Sequence, residues 1–116
     1  MNKRIAILAC MMLVLAVGLF AKHEKVRDSF DISPNPMERV TTIYLHYNTP
    51  VTVTITVEDI NGNHVRTIYS GPCDKTAAFT WERDDDEGTY VPNGTYYVTV
   101  NHDSRYTSTK KTLILK

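Results

Sequence analysis

The sequence predicts an all-β fold, an antiparallel β-sandwich of about seven strands preceded by a signal peptide. Three observations predict it. Apolar and polar residues alternate in most segments after residue 40, which is the pattern of half-buried strands. Turn-forming residues separate these segments at short intervals. No segment beyond the apolar N-terminus has the 3.6-residue period of an amphipathic helix.

The N-terminus has the pattern of a secretory leader. Two basic residues precede an uncharged, mostly apolar stretch over residues 5–21, and charge returns directly after it. A basic start, an apolar middle and small residues at the end are typical of a signal peptide. We expect the leader to cover residues 1–21, with cleavage after Ala21 or, as the alternative, after Gly18. The chain is then exported to the periplasm or the outside of the cell.

Two other interpretations of the N-terminus remain open. The apolar stretch could stay uncleaved as a membrane anchor, although it is at the short limit of the roughly 20 residues that a spanning helix needs. Residues 7–10 also resemble a lipoprotein cleavage site at Cys10. The apolar stretch before Cys10 is shorter than the roughly 7–15 residues of a signal-peptide core, which argues against lipidation. With the leader removed, we expect no stable membrane span in the mature chain.

The remaining sequence is the size of one domain. Residues 22–28 are mostly polar, and we expect a flexible lead-in over residues 22–32. The domain then covers residues 33–116, close to the roughly 100 residues of one immunoglobulin-like sandwich. It opens with Ser-Pro-Asn-Pro, an extended segment that can follow a sheet edge but cannot enter a sheet. Cys73 is the single cysteine after the leader, so a buried thiol is expected, with an intermolecular link as the alternative.

The first predicted strands are residues 42–48 and 51–59. Branched or aromatic apolar residues alternate in both with threonine and other polar residues, which favours half-buried antiparallel strands. Asn61-Gly62 follows and predicts a tight hairpin, because this pair readily adopts the positive φ that such a turn needs. On the return strand, Val65 and Ile68 are both expected on the core side, and their odd spacing predicts a β-bulge or a twist between them.

Three more strands are predicted over residues 77–81, 96–101 and 106–115. An acidic loop and a Pro-Asn-Gly turn separate the first two of them. The inward-facing residues of the strands form the predicted core: Val53, Ile55, Val57, Phe79, Trp81, Tyr96 and Val98.

Several motifs together resemble one known family. They are the Pro-Asn-Pro opening at residues 34–36, the segment 57–66 around Asp59 and Gly62, Trp81 before the acidic loop, Val91-Pro92-Asn93-Gly94 with Tyr96, and Lys110-Lys111 near the end. The sequence is similar to the immunoglobulin-like domain of the flagellar hook-capping protein, and to the C-terminal sorting domains of the type IX secretion system. The resemblance implies an immunoglobulin-like fold over residues 33–116. The family usually continues its Trp with Asp-Gly, whereas this chain has Glu82-Arg83.

The acidic loop over residues 84–87 is the candidate metal site. Asp84 and Asp86 have the spacing of the first ligands of an EF-hand, and Ca²⁺ prefers such oxygen ligands. The later ligands of that motif are absent, with Thr95 in the position of its terminal Glu. A solvated run of like charges is therefore the alternative. Apart from Ca²⁺, no cofactor is expected.

Outward-facing aromatic residues are the candidate partner-binding residues. Tyr44 and His46 are predicted to lie on the outer side of their strand. Tyr97 is predicted to face outward as well, where it could pair across strands with Tyr44 or His46. Such a face could bind another protein, or its residues could simply pack against each other. All four histidines lack the spacing of metal ligands and are expected at the surface: His23, His46, His64 and His102.

The sequence favours a binding role over catalysis. It contains no nucleophile elbow, zinc-protease motif or phosphate loop. Its 13 basic and 13 acidic residues give no net charge, unlike the basic domains that bind nucleic acid. We expect an exported bacterial module that binds another protein through sheet edges and loops, at residues 33–36 or 106–115. Two alternatives are a free-standing type IX sorting-type domain and a Ca²⁺-dependent adhesion or assembly domain.

Overall fold

The computed structural model describes residues 28–102 and 108–116. Within them the chain forms strands and no helix, so the predicted all-β fold is confirmed. The predicted leader, its cleavage sites, Cys10 and His23 lie outside the described residues. The strands are β1 (Asp28–Ser33), β2 (Thr41–Tyr47), β3 (Val51–Asp59), β4 (His64–Cys73), β5 (Thr76–Trp81), β6 (Gly94–His102) and β7 (Ser108–Leu115).

The strands form two antiparallel sheets. One sheet has three strands in the order β1-β2-β5, and the other has four in the order β4-β3-β6-β7. The chain passes from the four-stranded to the three-stranded sheet in the short link between β4 and β5, at residues 74 and 75. This architecture confirms the predicted immunoglobulin-like sandwich of about seven strands.

The first strand corrects an expectation. Residues 28–32 were expected in a flexible lead-in, but they belong to β1, which pairs with β2 in unbroken register from Asp28↔Tyr47 to Ser33↔Thr42. The reason is burial, because the Phe30 side chain is only 2% exposed and lies in the core. Some of the polar and charged residues that suggested a flexible segment lie on the solvent-facing side of this strand.

The core lies between the sheets and is built with a period of two. Phe79 is the exception among the seven predicted core residues, because it is only partly buried and stacks on Tyr69 with ring centroids 4.3 Å apart. Its strand, β5, is at the edge of its sheet, so its side chain is covered from fewer directions. The other six are buried: Val53, Ile55, Val57, Trp81, Tyr96 and Val98.

The β3–β4 hairpin combines a tight turn with bulges. Gly62 has a φ of +84°, as a glycine at this turn position permits. The Asp59 carboxylate accepts hydrogen bonds from the backbone N–H groups of Asn61 and Asn63, each at 2.9 Å. These bonds, that of Asn63 first, lower the pKa of Asp59. Register shifts after Ile55 and Val57 confirm the predicted bulging of β4.

Candidate functional site

Two open sheets leave four edge strands, which are β1 and β5 in one sheet and β4 and β7 in the other. An edge strand presents unpaired backbone N–H and C=O groups, and a strand of another protein can pair with them. Natural sheets usually cover, charge or bend their edges to prevent this. How each edge is covered therefore indicates where a partner can bind.

The segment at residues 35–37, which lies between β1 and β2 in the chain, covers the second half of β7. The Asn35 side chain accepts a hydrogen bond from Ile114 N–H at 3.0 Å and donates one to the Thr112 carbonyl at 2.8 Å. Met37 then pairs in parallel, donating to the Ile114 carbonyl at 2.8 Å and accepting from Lys116 N–H at 3.0 Å. The terminal strand expected as a binding edge is thus largely occupied by the chain itself.

A lysine lies beside the edge of β1. The Lys111 ammonium is 3.7 Å from the Asp31 carboxylate and 5.1 Å from the centre of the Phe30 ring. Lys110, on the same strand β7, forms an ion pair with Glu58 and lies 5.3 Å from the Tyr97 ring. Charged side chains of this kind discourage strand pairing at an edge.

The acidic loop covers the first half of β4. Asp86 N–H donates to the Val65 carbonyl at 3.0 Å, and its carboxylate accepts from Thr67 N–H at 2.9 Å. The same carboxylate lies 2.7 Å from the His64 ring nitrogen. These hydrogen bonds, the one from Thr67 first, lower the pKa of Asp86. The second half of β4 contains Pro72, which has no N–H to offer a partner.

The carboxylates of the acidic loop are directed to protein groups. Asp85 accepts hydrogen bonds from the backbone N–H groups of Glu87 and Thr89, at 2.9 and 2.8 Å. Asp84 lies 3.6 Å from the Arg66 guanidinium. Across residues 28–102 and 108–116, no group of three or more His, Cys, Asp or Glu side chains is placed to hold a metal ion. Ca²⁺ binding at Asp84 and Asp86 stays a prediction, and this arrangement does not favour it.

Arg83 is a buried residue that the sequence did not single out. Its side chain donates hydrogen bonds to the Val91 carbonyl at 2.8 Å, to the main-chain oxygen of Lys116 at 3.0 Å, and to Glu38 and Asn93. It joins three segments that are distant in sequence. Its backbone has a φ of +61°, the left-handed region that favours glycine. The departure from the family's Asp-Gly after Trp81 was the signal that could have identified it.

The edge of β5 has no such cover. β5 pairs with β2 without a bulge, and none of its six residues is charged or a proline. Tyr47 N–H donates to the Lys75 carbonyl, and by strand alternation the N–H and C=O groups of Ala78 and Thr80 point away from β2. No other described residue bonds to these four groups. This edge is therefore open.

The sandwich is also incompletely closed along this side. The apolar side chains that are only partly buried against the core lie on β4 and β5, except Ile32 on β1. A cleft opens beside β5, lined by Ile68, Thr80 and Trp81 and by the charged residues Arg66, Glu82 and Asp84. The open β5 edge and its neighbouring half-buried apolar side chains, named the β5 edge surface below, comprise Ile68, Tyr69, Ala77, Ala78, Phe79 and Thr80.

The expected aromatic face is not continuous. Tyr44, which is 40% exposed, and His46 lie on β2 in the three-stranded sheet. Tyr97 lies on β6 in the other sheet, opposite Glu58 and Thr112. The predicted pairing of Tyr97 with Tyr44 or His46 is wrong, because the outer faces of the two sheets point in opposite directions.

The side chains of His102 and Cys73 are both buried. His102, expected at the surface, is 6% exposed and packs edge-to-face on Tyr47, with ring centroids 5.9 Å apart. His102 lies four residues after Val98 on β6, so strand alternation points both side chains inward, which explains the burial of His102. Cys73 is buried, and this burial, with a smaller effect from Asp74, raises the pKa of its thiol. Such a thiol is poorly placed for an intermolecular link.

Comparison with known proteins agrees with this architecture. The model of the FlgD Ig-like domain family matches residues 36–105. Dimeric latent PorU from Porphyromonas gingivalis has a similar structure, with a TM-score of 0.61 and 19% identity over 79% of this chain and 9% of PorU. PorZ, an essential surface component of the type IX secretion system of the same organism, has a TM-score of 0.53 and 19% identity over 76% of this chain and 11% of PorZ. The chain thus spans about a tenth of either protein, and these likenesses show the fold.

No curated protein matches the chain. The described residues include no helix long and apolar enough to cross a membrane. The family match confirms the resemblance to the immunoglobulin-like domain of the flagellar hook-capping protein.

Proposed function

The chain belongs to the FlgD Ig-like domain family, and from that premise we propose that it is a non-enzymatic module of the bacterial envelope or exterior that binds another protein by strand pairing. The observation that carries this proposal is the open edge of β5. β4 and β7 are each capped in part by another part of the chain, and β1 has Lys111 beside it. A strand added at β5 would satisfy the outward backbone groups of Ala78 and Thr80.

The half-buried apolar side chains support the same location. A strand pairing with β5 would cover Phe79 on its inner side, where the Phe79 ring is in contact with Tyr69. Covering apolar area that is already at the surface strengthens a strand pair beyond its backbone hydrogen bonds. The binding surface therefore combines a hydrogen-bonding edge with an apolar margin.

Site-specific photocrosslinking in living cells of the source organism tests this proposal. A photoreactive amino acid at Thr80 is expected to give a crosslink to one protein. The same group at Thr112, an exposed residue of β7, is the matched control and is expected to give much less of that product. Equal crosslinking from both positions, or none from Thr80, would contradict binding at the β5 edge.

Export is tested separately. With the leader proposed at residues 1–21, we expect the mature protein to begin at Lys22 and to be found outside the cytoplasm. Cell fractionation and N-terminal sequencing of the protein measure both. A protein that keeps Met1 and stays in the cytoplasm would overturn this part of the proposal.

A second candidate function is a free-standing type IX sorting-type domain. It is supported by the fold shared with PorU and PorZ. In this role the secretion machinery would recognise the end of the domain around Lys110 and Lys116. Residues 22–116 fused behind a periplasmic reporter in an organism with this system would carry the reporter to the cell surface. A reporter that remains in the periplasm would remove this candidate.

A further inference from the structure

We propose that the partner at the β5 edge surface is a second copy of this chain, whose β5 pairs antiparallel with that of the first. This inference rests on the proposed function, strand pairing at β5, and names the occupant. It is drawn from three properties of the edge: the positions of its free backbone groups, the side chain at its centre and the charges at its two ends.

The free backbone groups fit a symmetric register. In an antiparallel pair, two opposite residues exchange both of their backbone hydrogen bonds. Thr76 N–H is already bonded to the Asp74 carbonyl at 2.9 Å, which leaves the Thr76 carbonyl and both main-chain groups of Ala78 and of Thr80. Placing Ala78 of each copy opposite Thr80 of the other uses both groups of these two residues. The two-fold axis then passes between the two copies of Phe79.

The side chains along the seam suit this register. The outward-facing Ala78 and Thr80 are small and do not obstruct a second backbone. Phe79 is opposite its own copy, and it faces the inner side, where it is only partly buried. Directly opposite aromatic residues of an antiparallel pair contact each other and gain from it. The two Phe79 rings would thus cover each other's exposed area.

The charges at the ends of β5 are complementary between two copies. Lys75 precedes the strand and Glu82 follows it, and both are exposed, with no charged residue between them. In this register Glu82 of one copy lies opposite Thr76 of the other, one residue from Lys75 and two from the exposed Asp74. Symmetry repeats this arrangement at the other end of the seam. A second copy therefore brings the Glu82 carboxylate within one residue of Lys75 at each end of the seam.

Sedimentation equilibrium of the purified protein, from micromolar to millimolar concentrations, tests the inference. The wild type is expected to form a dimer. Ala78→Lys places two like charges at the seam and is expected to weaken association at least about tenfold. Thr80→Pro removes an outward N–H, which an edge strand tolerates, and is expected to do the same. Ala78→Ser is the matched control and should dimerise as the wild type does. Circular dichroism melting checks that each variant is folded.

A charge exchange tests the register. Lys75→Glu and Glu82→Lys each put like charges together and are expected to weaken the dimer about three- to tenfold. The double variant is expected to return to within about threefold of the wild type. A monomer at every concentration would overturn the second copy as occupant. A dimer whose affinity is unchanged by Ala78→Lys, or is not restored in the double variant, would also overturn it. A monomer that still crosslinks to another protein from Thr80 overturns this inference and leaves the proposed function intact.

Discussion

The buried Arg83 side chain joins segments of the chain that are far apart in sequence. It donates to oxygens on segments near residues 38, 91 and 116, and the guanidinium lies 4.7 Å from the Tyr90 ring. The acceptors are main-chain oxygens, and one amide oxygen of Asn93, so they would lose their partner if the side chain were removed. Its left-handed backbone is unfavourable for a residue with a Cβ, and the hydrogen bonds offset that cost.

We predict that Arg83→Ala destabilises the protein by about 3 kcal/mol, because the buried Val91 carbonyl and three part-buried acceptors lose a charged donor. Arg83→Gly loses the same bonds but relieves the backbone, so it should be about 1 kcal/mol more stable than the alanine variant. Urea unfolding measures both. The exposed Arg39→Ala is the control and should change stability by less than about 0.5 kcal/mol. An Arg83→Ala protein as stable as this control would contradict the account.

Asp86 makes stability depend on pH. Its folded-state pKa lies below the ordinary value of 3.8, because Thr67 N–H and His64 bond to the carboxylate. A lowered pKa means that the carboxylate stabilises the fold fully above pH 3.8 and loses that contribution as the pH falls through the lower folded-state value. We predict that Asp86→Asn is less stable than the wild type at neutral pH and that this difference disappears in acid. Urea unfolding across this pH range measures it. A difference that does not change with pH would contradict this role.

At the scale of elements, the edges differ in how they are covered. β7 is covered by the segment at residues 35–37, β4 by the acidic loop, and β5 has no equivalent. The acidic loop thus has a structural use, since Asp86 caps the edge of β4 with one main-chain and one side-chain hydrogen bond. The Trp81 indole N–H donates to the Asp84 carbonyl at 2.8 Å and helps hold this loop in place.

We predict that Asn35→Ala opens the edge of β7. The side chain bonds to Ile114 and Thr112, and its loss should destabilise the protein by about 1 kcal/mol, since both bonds are solvent-exposed. The Ile114 amide should exchange with solvent faster. Hydrogen exchange followed by NMR measures this. Asn101→Ala, at an exposed position of β6, is the control and should leave Ile114 exchange unchanged. Unaltered exchange in the Asn35 variant would show that its side chain does not protect this edge.

At the scale of the whole molecule, the sequence predicts the strands and turns that are determined by residues close together in the chain. The alternation over residues 51–59 predicted β3, and Asn61-Gly62 predicted its hairpin, because both depend on near neighbours. The strand β1 was missed because its outward side is polar, and only pairing with β2 distinguishes it from a linker. The burial of His102 follows from its phase on β6, which the sequence shows only once the length of that strand is known.

The features that define the binding surface could not be predicted in this way. The acidic run of Asp84 and Asp86 has the composition of a solvated loop, and its contact with β4 depends on residues about 20 positions away. The openness of β5 is likewise a property of the assembled sheets, since it depends on which strands become edges. Period-two patterns show which side of a strand is buried, but they do not show which strand lies beside it.

The central claim is that the backbone groups of Ala78 and Thr80 form an open edge that pairs with another strand. Residue-resolved hydrogen exchange of the purified protein, measured in dilute and in concentrated solution, tests this most directly. We predict that both amides exchange rapidly when dilute and become protected as the protein associates, while the Ile114 amide, which is already bonded to Asn35, changes little. Ala78 and Thr80 amides that are protected in the dilute monomer, or that stay unprotected in the associated state, would contradict it.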